Sequence, residues 1–238
     1  MFWRRWCIAC VTIAVIGCTA LETGRPARAG IVGTSGDVQV VPPIANVRQD
    51  VTDAVNAQVF SSEHIFVFAE RVAHTLAASV TVDLDQPGLY NAPATLPAVP
   101  PVISAGTVVD VYYANFDPFL SAGNVSVSGS MTFDRPVLGV MVLAPQMNAT
   151  DASLGFPFTT YPLPGNIFRG LELAFGDSLT LSADRRTVSL DLVTNTIDAV
   201  RILVAVPEPS SLGLALVGSV LVVSRLWRRR RTHRAWPA

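Results

Sequence analysis

The chain has 238 residues, of which 50% are hydrophobic, 8% aromatic and 15% charged, with a formal net charge of -1 and a mean hydropathy of +0.42. That length suits one domain with appendages. Charge this sparse, beside 16 Gly and 17 Pro, excludes a coiled coil, an Ala/Glu/Lys-rich helical bundle and a charged disordered chain, and points to a turn-rich, β-rich protein.

The first segment reads as a signal peptide. Arg4 and Arg5 precede an apolar run from Trp6 to Ala20, and a more polar stretch ends in Ala27-Arg28-Ala29. The run has the length of a signal-peptide core and falls short of the roughly 20 residues of a spanning helix. Small residues at Ala27 and Ala29 fit the signal peptidase site, predicting cleavage after Ala29. The same segment contains Val15-Ile16-Gly17-Cys18, which resembles a bacterial lipobox, so lipidation at Cys18 is the rival processing. All three Cys (Cys7, Cys10 and Cys18) lie here. Cleavage after Ala29 therefore leaves a mature chain without disulfides, thiolate metal sites or Cys nucleophiles.

Residues 30–60 mix Gly, Ser, Pro and Val with weak periodicity and are predicted as a flexible N-terminal arm, with one short strand at Val38 to Val41. Residues 61–206 alternate apolar and polar side chains over short windows, the period of half-buried strands. Strands are predicted at Ile65 to Arg71, Ser79 to Asp83, Thr107 to Asn115, Asn124 to Phe133, Val137 to Leu143, Ser178 to Ser182, Thr187 to Val193 and Ala199 to Val206. The clearest alternation places Val125, Val127, Met131 and Phe133 on one face. Turns at Asp134-Arg135-Pro136 and at Ala183 to Arg186 read as the bends of two hairpins. One or two helical turns are expected near Asn148 to Leu154, capped by Thr150 or Asp151. Tyr90 to Pro101, with prolines at 93, 97, 100 and 101, reads as a long loop. The fold class that follows is all-β, an antiparallel β-sandwich flanked by an N-terminal signal peptide and a C-terminal single membrane-spanning helix.

Residues 207–238 have three parts. Pro207-Glu208-Pro209 halts any arriving strand or helix and forces an extended segment. An apolar stretch follows, giving a span over 212–227 of about 24 Å against a hydrocarbon thickness of about 30 Å. Arg228, Arg229, Arg230 and Arg231 close it, holding the tail on the cytoplasmic side and residues 30–206 outside. On physical grounds alone a plain tail anchor has the same features. This order of elements resembles the PEP-CTERM sorting signal of bacteria that make exopolysaccharide. The resemblance covers about 30 of 238 residues. It implies that Pro207, Glu208 and Pro209 are recognised by an exosortase, which removes the tail and releases or re-attaches the protein outside the inner membrane. Thr232 to Ala238 extends further past the Arg cluster than the pattern has it. Phrases of the central region, Ser128 to Asp134 and Asp177 to Ala183 among them, are similar to the β-rich bodies of some of these proteins.

No Lys occurs, so all 17 basic residues are Arg. From Gly30 to Val206, seven Arg face sixteen Asp plus Glu, a formal balance of -9. An acidic body without a basic stripe argues against nucleic-acid binding. Catalytic signatures are not found: His64 and His74 carry no HExxH or Cys/His spacing, there is no G-x-S-x-G elbow, and Glu63, Glu70 and Glu172 read as solvated charges. Asp83 and Asp85, beside Gln86 and Gly88, are oxygen donors on one face, though without EF-hand spacing; no metal site and no cofactor are predicted. Tyr112, Tyr113, Phe116 and Phe119 cluster near one strand end as a candidate sugar-stacking platform or as packing. The sequence thus reads as an exported, non-enzymatic surface or extracellular-matrix protein associated with exopolysaccharide or biofilm. Its predicted partners are signal peptidase, exosortase and the inner membrane. The alternatives are a secreted carbohydrate-binding module and a polysaccharide or ester hydrolase.

Overall fold

The computed structural model describes residues 30–43, 61–118, 124–162, 169–194 and 196–206. Two of its strands are buried almost without interruption. β7 (Val108–Phe116) is buried at every residue after the first, and β12 (Asp198–Ala205) at every residue before the last. Strands of that kind must be covered on both faces. They pair with each other at the centre of a five-stranded sheet, ordered β2 (Val38–Val40), β3 (Ile65–Thr75), β7, β12, β9 (Val137–Met141). A second five-stranded sheet is ordered β1 (Ile31–Gly36), β8 (Val125–Phe133), β11 (Thr187–Thr194), β10 (Ser178–Leu181), β5 (Gly88–Tyr90).

The two sheets face each other across one core. Val67, Ala114, Phe116, Val200, Ile202 and Val204 of the first meet Val127, Met131, Phe133, Leu181, Leu190 and Leu192 of the second. The other face of the central sheet carries a separate apolar layer, in which Phe68, Val111, Met141 and Leu203 pack with Met147 and Leu154 of helix α1 (Ala144–Leu154). Val80 and Ile103 join this layer from the short ribbon of β4 (Val80–Thr81) and β6 (Val102–Ile103). The predicted all-β class holds, with a third layer on one face.

The antiparallel expectation holds for every named strand pair except one, since β2 lies parallel to β3. The predicted strands of residues 61–206 are all present, with altered ends. β3 continues past Arg71 to Thr75 through two register shifts, and Ala73 there has φ 47° and donates its N–H to Asp110 Oδ1 at 2.5 Å. The turn at Ala183 to Arg186 joins β10 and β11 as the predicted hairpin. Asp134 to Pro136 does not make a hairpin. β8 already has β1 and β11 on its two sides, so β9 crosses to the free edge of β12 in the other sheet. Helix α1 starts four residues earlier than expected, at Ala144 with Pro145 in its first turn. Thr150 and Asp151 lie inside it rather than at its cap, and the preceding N–H of Leu143 is held instead by Asp83 Oδ2 at 2.8 Å.

Residues 30–40 are not a loose arm. They form β1 along the edge of one sheet, turn at Gly36-Asp37, and join the other sheet as β2. Asp37 fastens the crossing by a backbone bond to Ser128 O at 2.8 Å and by accepting the Ser128 N–H on Oδ2 at 2.8 Å. Gly36 stands opposite Gly129 there, with φ 62°. A methyl on Gly129 would lie 2.5 Å from Ser35 O and 2.8 Å from Val38 Cγ2. Residues 44–60 lie outside the described residues.

Gly129→Ala is expected to destabilise the body by about 1–3 kcal/mol through overpacking. Denaturant unfolding of the variant should show an earlier midpoint, whereas Gly33→Ala, which has open space around it, should leave the midpoint unchanged.

Candidate functional site

Arg201 occupies the middle of β12, on the face under helix α1, and is 0% exposed. A guanidinium in that position requires both neutralisation and donors' partners. Glu70 of β3 supplies two bonds, from Arg201 Nε to Oε2 at 2.6 Å and from Nη2 to Oε1 at 2.8 Å. Helix α1 supplies the rest: Arg201 Nη1 donates to Met147 O at 3.0 Å and Thr150 Oγ1 at 2.8 Å, and Nη2 to Asp151 Oδ1 at 2.9 Å. Arg169, also 0% exposed, forks onto Asp151 at 2.6 and 2.8 Å and reaches Asn148 Oδ1 at 2.8 Å and Tyr113 Oη at 3.1 Å. Two arginines and two carboxylates thus balance in charge.

Aromatic rings complete the cluster. Each guanidinium carbon lies 5.1–5.5 Å from the ring centroids of Tyr113 and Tyr161, and those two rings meet edge to face at 5.4 Å. Tyr161 donates its hydroxyl to Glu70 and accepts the N–H of Phe156 at 2.9 Å. Burial and the Glu70 charge keep that phenol protonated. Burial opposes the Arg201 charge, but Glu70 and Asp151 outweigh it and raise its pKa. The cluster is a set of groups bonded to one another, joining helix α1 to the central sheet.

A second polar group gathers at the other end of β12. Asp198 opens that strand opposite Phe116, and Asp117 follows Phe116; both are 1% exposed. As carboxylates, neither has a hydrogen-bond donor on either oxygen. Asp177 is differently placed, accepting the N–H of Glu172 at 2.6 Å and of Val193 at 2.9 Å. Burial pushes Asp117 up to about 7. Burial first, then the charges of Asp177, Glu172 and Asp117, raise Asp198 well above the carboxylate range, and Asp177 can accept the proton that Asp198 retains. Among the described residues, no group of three or more His, Cys, Asp and Glu side chains is arranged to hold a metal ion.

The remaining candidates disperse. Asp83 accepts two backbone N–H groups, from Val142 at 2.7 Å and Leu143 at 2.8 Å, while Asp85 bonds Gln86. His64 is exposed beside Phe66. His74 is half-buried, and burial, then Arg71, lower its pKa. Glu63 is exposed as expected, but Glu70 is a buried ion-pair partner. Tyr112, Tyr113 and Phe116 form no surface platform. All three are buried, Tyr112 against Phe133 between the sheets and Tyr113 on the opposite face, and Phe119 lies outside the described residues. The Arg201 cluster was missed from sequence, although an Arg amid Ala199-Val200-Arg201-Ile202-Leu203 was its signal.

The body's two ends adjoin one turn. Gly30 and Asp134 exchange two bonds, Gly30 N to Asp134 Oδ1 at 2.8 Å and Asp134 N to Gly30 O at 3.0 Å. Ala205, the last residue of β12, donates to Pro136 O at 2.9 Å, and Val206 donates to Val108 O at 3.2 Å. Ala27, Ala29, Pro207, Glu208, Pro209, the 212–227 span and Arg228 to Arg231 all lie outside the described residues. Among the described residues, no helix is long and apolar enough to cross a membrane.

The family model for the PEP-CTERM protein-sorting motif matches residues 205–231. The match starts on the last residue of β12 and takes in Pro207-Glu208-Pro209 and the Arg cluster. No curated protein and no solved structure matches the chain.

Glu70→Gln should destabilise the body by about 3–5 kcal/mol, because it leaves Arg201 buried with half its neutralisation removed. Glu63→Gln is the exposed control, and equal unfolding midpoints for the two variants would contradict the assignment. Asp117 and Asp198 predict a separate pH effect. A carboxyl raised from 3.8 to about 7 by folding stabilises the fold below its unfolded pKa, and that contribution is lost as pH rises through about 7. The thermal midpoint should therefore fall between pH 5 and pH 8, and Asp198→Asn should raise the pH 8 midpoint by about 5 °C without a gain at pH 4.

Proposed function

We propose that this PEP-CTERM sorting-motif protein is an exported, non-enzymatic surface or matrix component, which an exosortase processes at Pro207-Glu208-Pro209 and delivers to the exopolysaccharide layer. The chain carries the motif over residues 205–231, and that observation carries the reading. Its position supports the proposal, because the motif begins on Ala205, the last residue of β12, and its box directly follows Val206, whose N–H is still held by Val108 O. Proline at 207 has no backbone N–H with which to extend the ladder, which favours reading the box as an accessible substrate of the enzyme.

The precursor is held at the inner membrane by its tail, and the signal peptide, before removal by signal peptidase, holds the other end. Gly30 and Ala205 adjoin the same turn, so the two chain ends of the body lie together, which supports tethers that lead to one membrane. A structural role for the body is favoured by how its polar groups are used. The charges under helix α1 satisfy one another, and the rings that would stack on a sugar are buried.

The test uses the full chain in its native host. Wild-type protein from the outer-surface fraction and medium should have an intact mass ending near Pro207 to Pro209. With Pro207, Glu208 and Pro209 all replaced by Ala, it should stay in the membrane fraction with residues 212–238 attached. Identical processing of the two would reject the sorting role. Processed protein assayed against model glycans and esters should give no turnover; hydrolysis abolished by a single Ser or carboxylate substitution would replace the structural reading by the hydrolase one.

A further inference from the structure

We infer that signal-peptide removal after Ala29 creates an ion pair, in which the new α-ammonium of Gly30 is held by the carboxylate of Asp134. The pairing deepens the reading of residues 1–29 as a signal peptide and rests on it. In the folded body Gly30 N lies 2.8 Å from Asp134 Oδ1, in a half-buried position, and Asp134 N returns a bond to Gly30 O at 3.0 Å. With Ala29 attached, that nitrogen is an amide with one N–H and no charge. Signal peptidase adds water across the bond between Ala29 carbon and Gly30 nitrogen. Ala29 leaves as a carboxylate with the signal peptide, and Gly30 becomes an ammonium with three donors facing the same carboxylate. The neutral contact becomes a charge-assisted one, about twice as strong.

The placement has consequences at both ends. β1 is an exposed edge strand whose first pairing, Ile31 with Phe133, is followed by a register shift; such a terminus frays unless it is tied down. The tie falls on the turn whose Pro136 O holds Ala205, next to the sorting box. A protease needs an extended substrate, so cleavage precedes the closing of β1 onto β8, and the ion pair then keeps β1 closed.

Absence of Lys gives a specific probe, because the mature chain has a single primary amine, its α-amino group. The full chain and Asp134→Asn, which keeps an acceptor oxygen but loses the charge, are expressed in the native host. Intact mass gives both termini, and reductive methylation with carbon-13 formaldehyde gives one NMR signal to titrate. The expected result is an N-terminus at Gly30, whose amine titrates about one unit higher in wild type than in Asp134→Asn. Arg135 on the same turn and Asp184, Arg185 and Arg186 on the β10–β11 turn are present in both proteins, so their influence cancels in the comparison. A Gly30 terminus with equal titrations would overturn the ion pair. A terminus elsewhere, lipidated Cys18 included, would overturn it together with the cleavage reading. The C-terminal end in the same spectrum reports separately on sorting.

Discussion

The architecture depends on Arg201. An unpaired cation in an apolar interior costs far more than a domain's whole stability, so a strand carrying one at its centre must be roofed by groups that neutralise it. Glu70 from β3 provides one carboxylate and Asp151 from helix α1 the other. Helix α1 is thereby fixed in place as well as in presence, because Met147 O, Thr150 Oγ1 and Asp151 must all face the sheet. Replacing such a network by apolar residues of equal volume can leave stability unchanged or increase it. Its contribution is register: an apolar helix could slide on an apolar sheet, whereas this one has a single position in which the bonds close. The roof in turn buries the second face of β7 and β12.

That second burial explains which parts of the fold were legible. Strands with one wet face announce themselves, as β8 does with Val127, Met131 and Phe133 buried and Ser126 and Ser128 exposed. The central strands were recognisable as apolar runs, but their covering layer was not, because periodicity cannot say what lies on a face. β1 was invisible for the opposite reason. Its sequence Ile31-Val32-Gly33-Thr34-Ser35-Gly36 has almost nothing to bury, and it is held by backbone bonds at a sheet edge. The crossover at Asp134 to Pro136 looks like a hairpin locally, and only the occupancy of both edges of β8 excludes one. The sorting motif was legible because its parts stand in a fixed order along the chain, and the family model matches them over residues 205–231.

β12 links the two kinds of chemistry in the body. It starts among Asp198, Asp117 and Asp177, where burial makes ionisation costly. It passes Arg201 at its middle, where charge is satisfied, and ends at Ala205 against Pro136. Ionisation there is costly, so this end gains stability as pH falls below about 7. The exit end has no such dependence on buried carboxylates and is fastened by backbone bonds to Pro136 and Val108.

Fastening of that kind bears on how a sorting enzyme meets its substrate. Under the proposed function, six residue steps from Val206 to Leu212 reach at most about 20 Å, which would keep the folded body near the membrane that the proposal places at Leu212. A frayed β12 would expose Val200, Ile202, Leu203 and Val204, all buried in the folded body. Closing β12 onto β7 and β9 up to its last residue removes that hazard. The described strand is thus held to its end, and the matched sorting motif begins on its last residue. The strand end and the sorting motif therefore overlap at Ala205, and the bonds of Ala205 and Val206 hold the body closed up to the residue before Pro207.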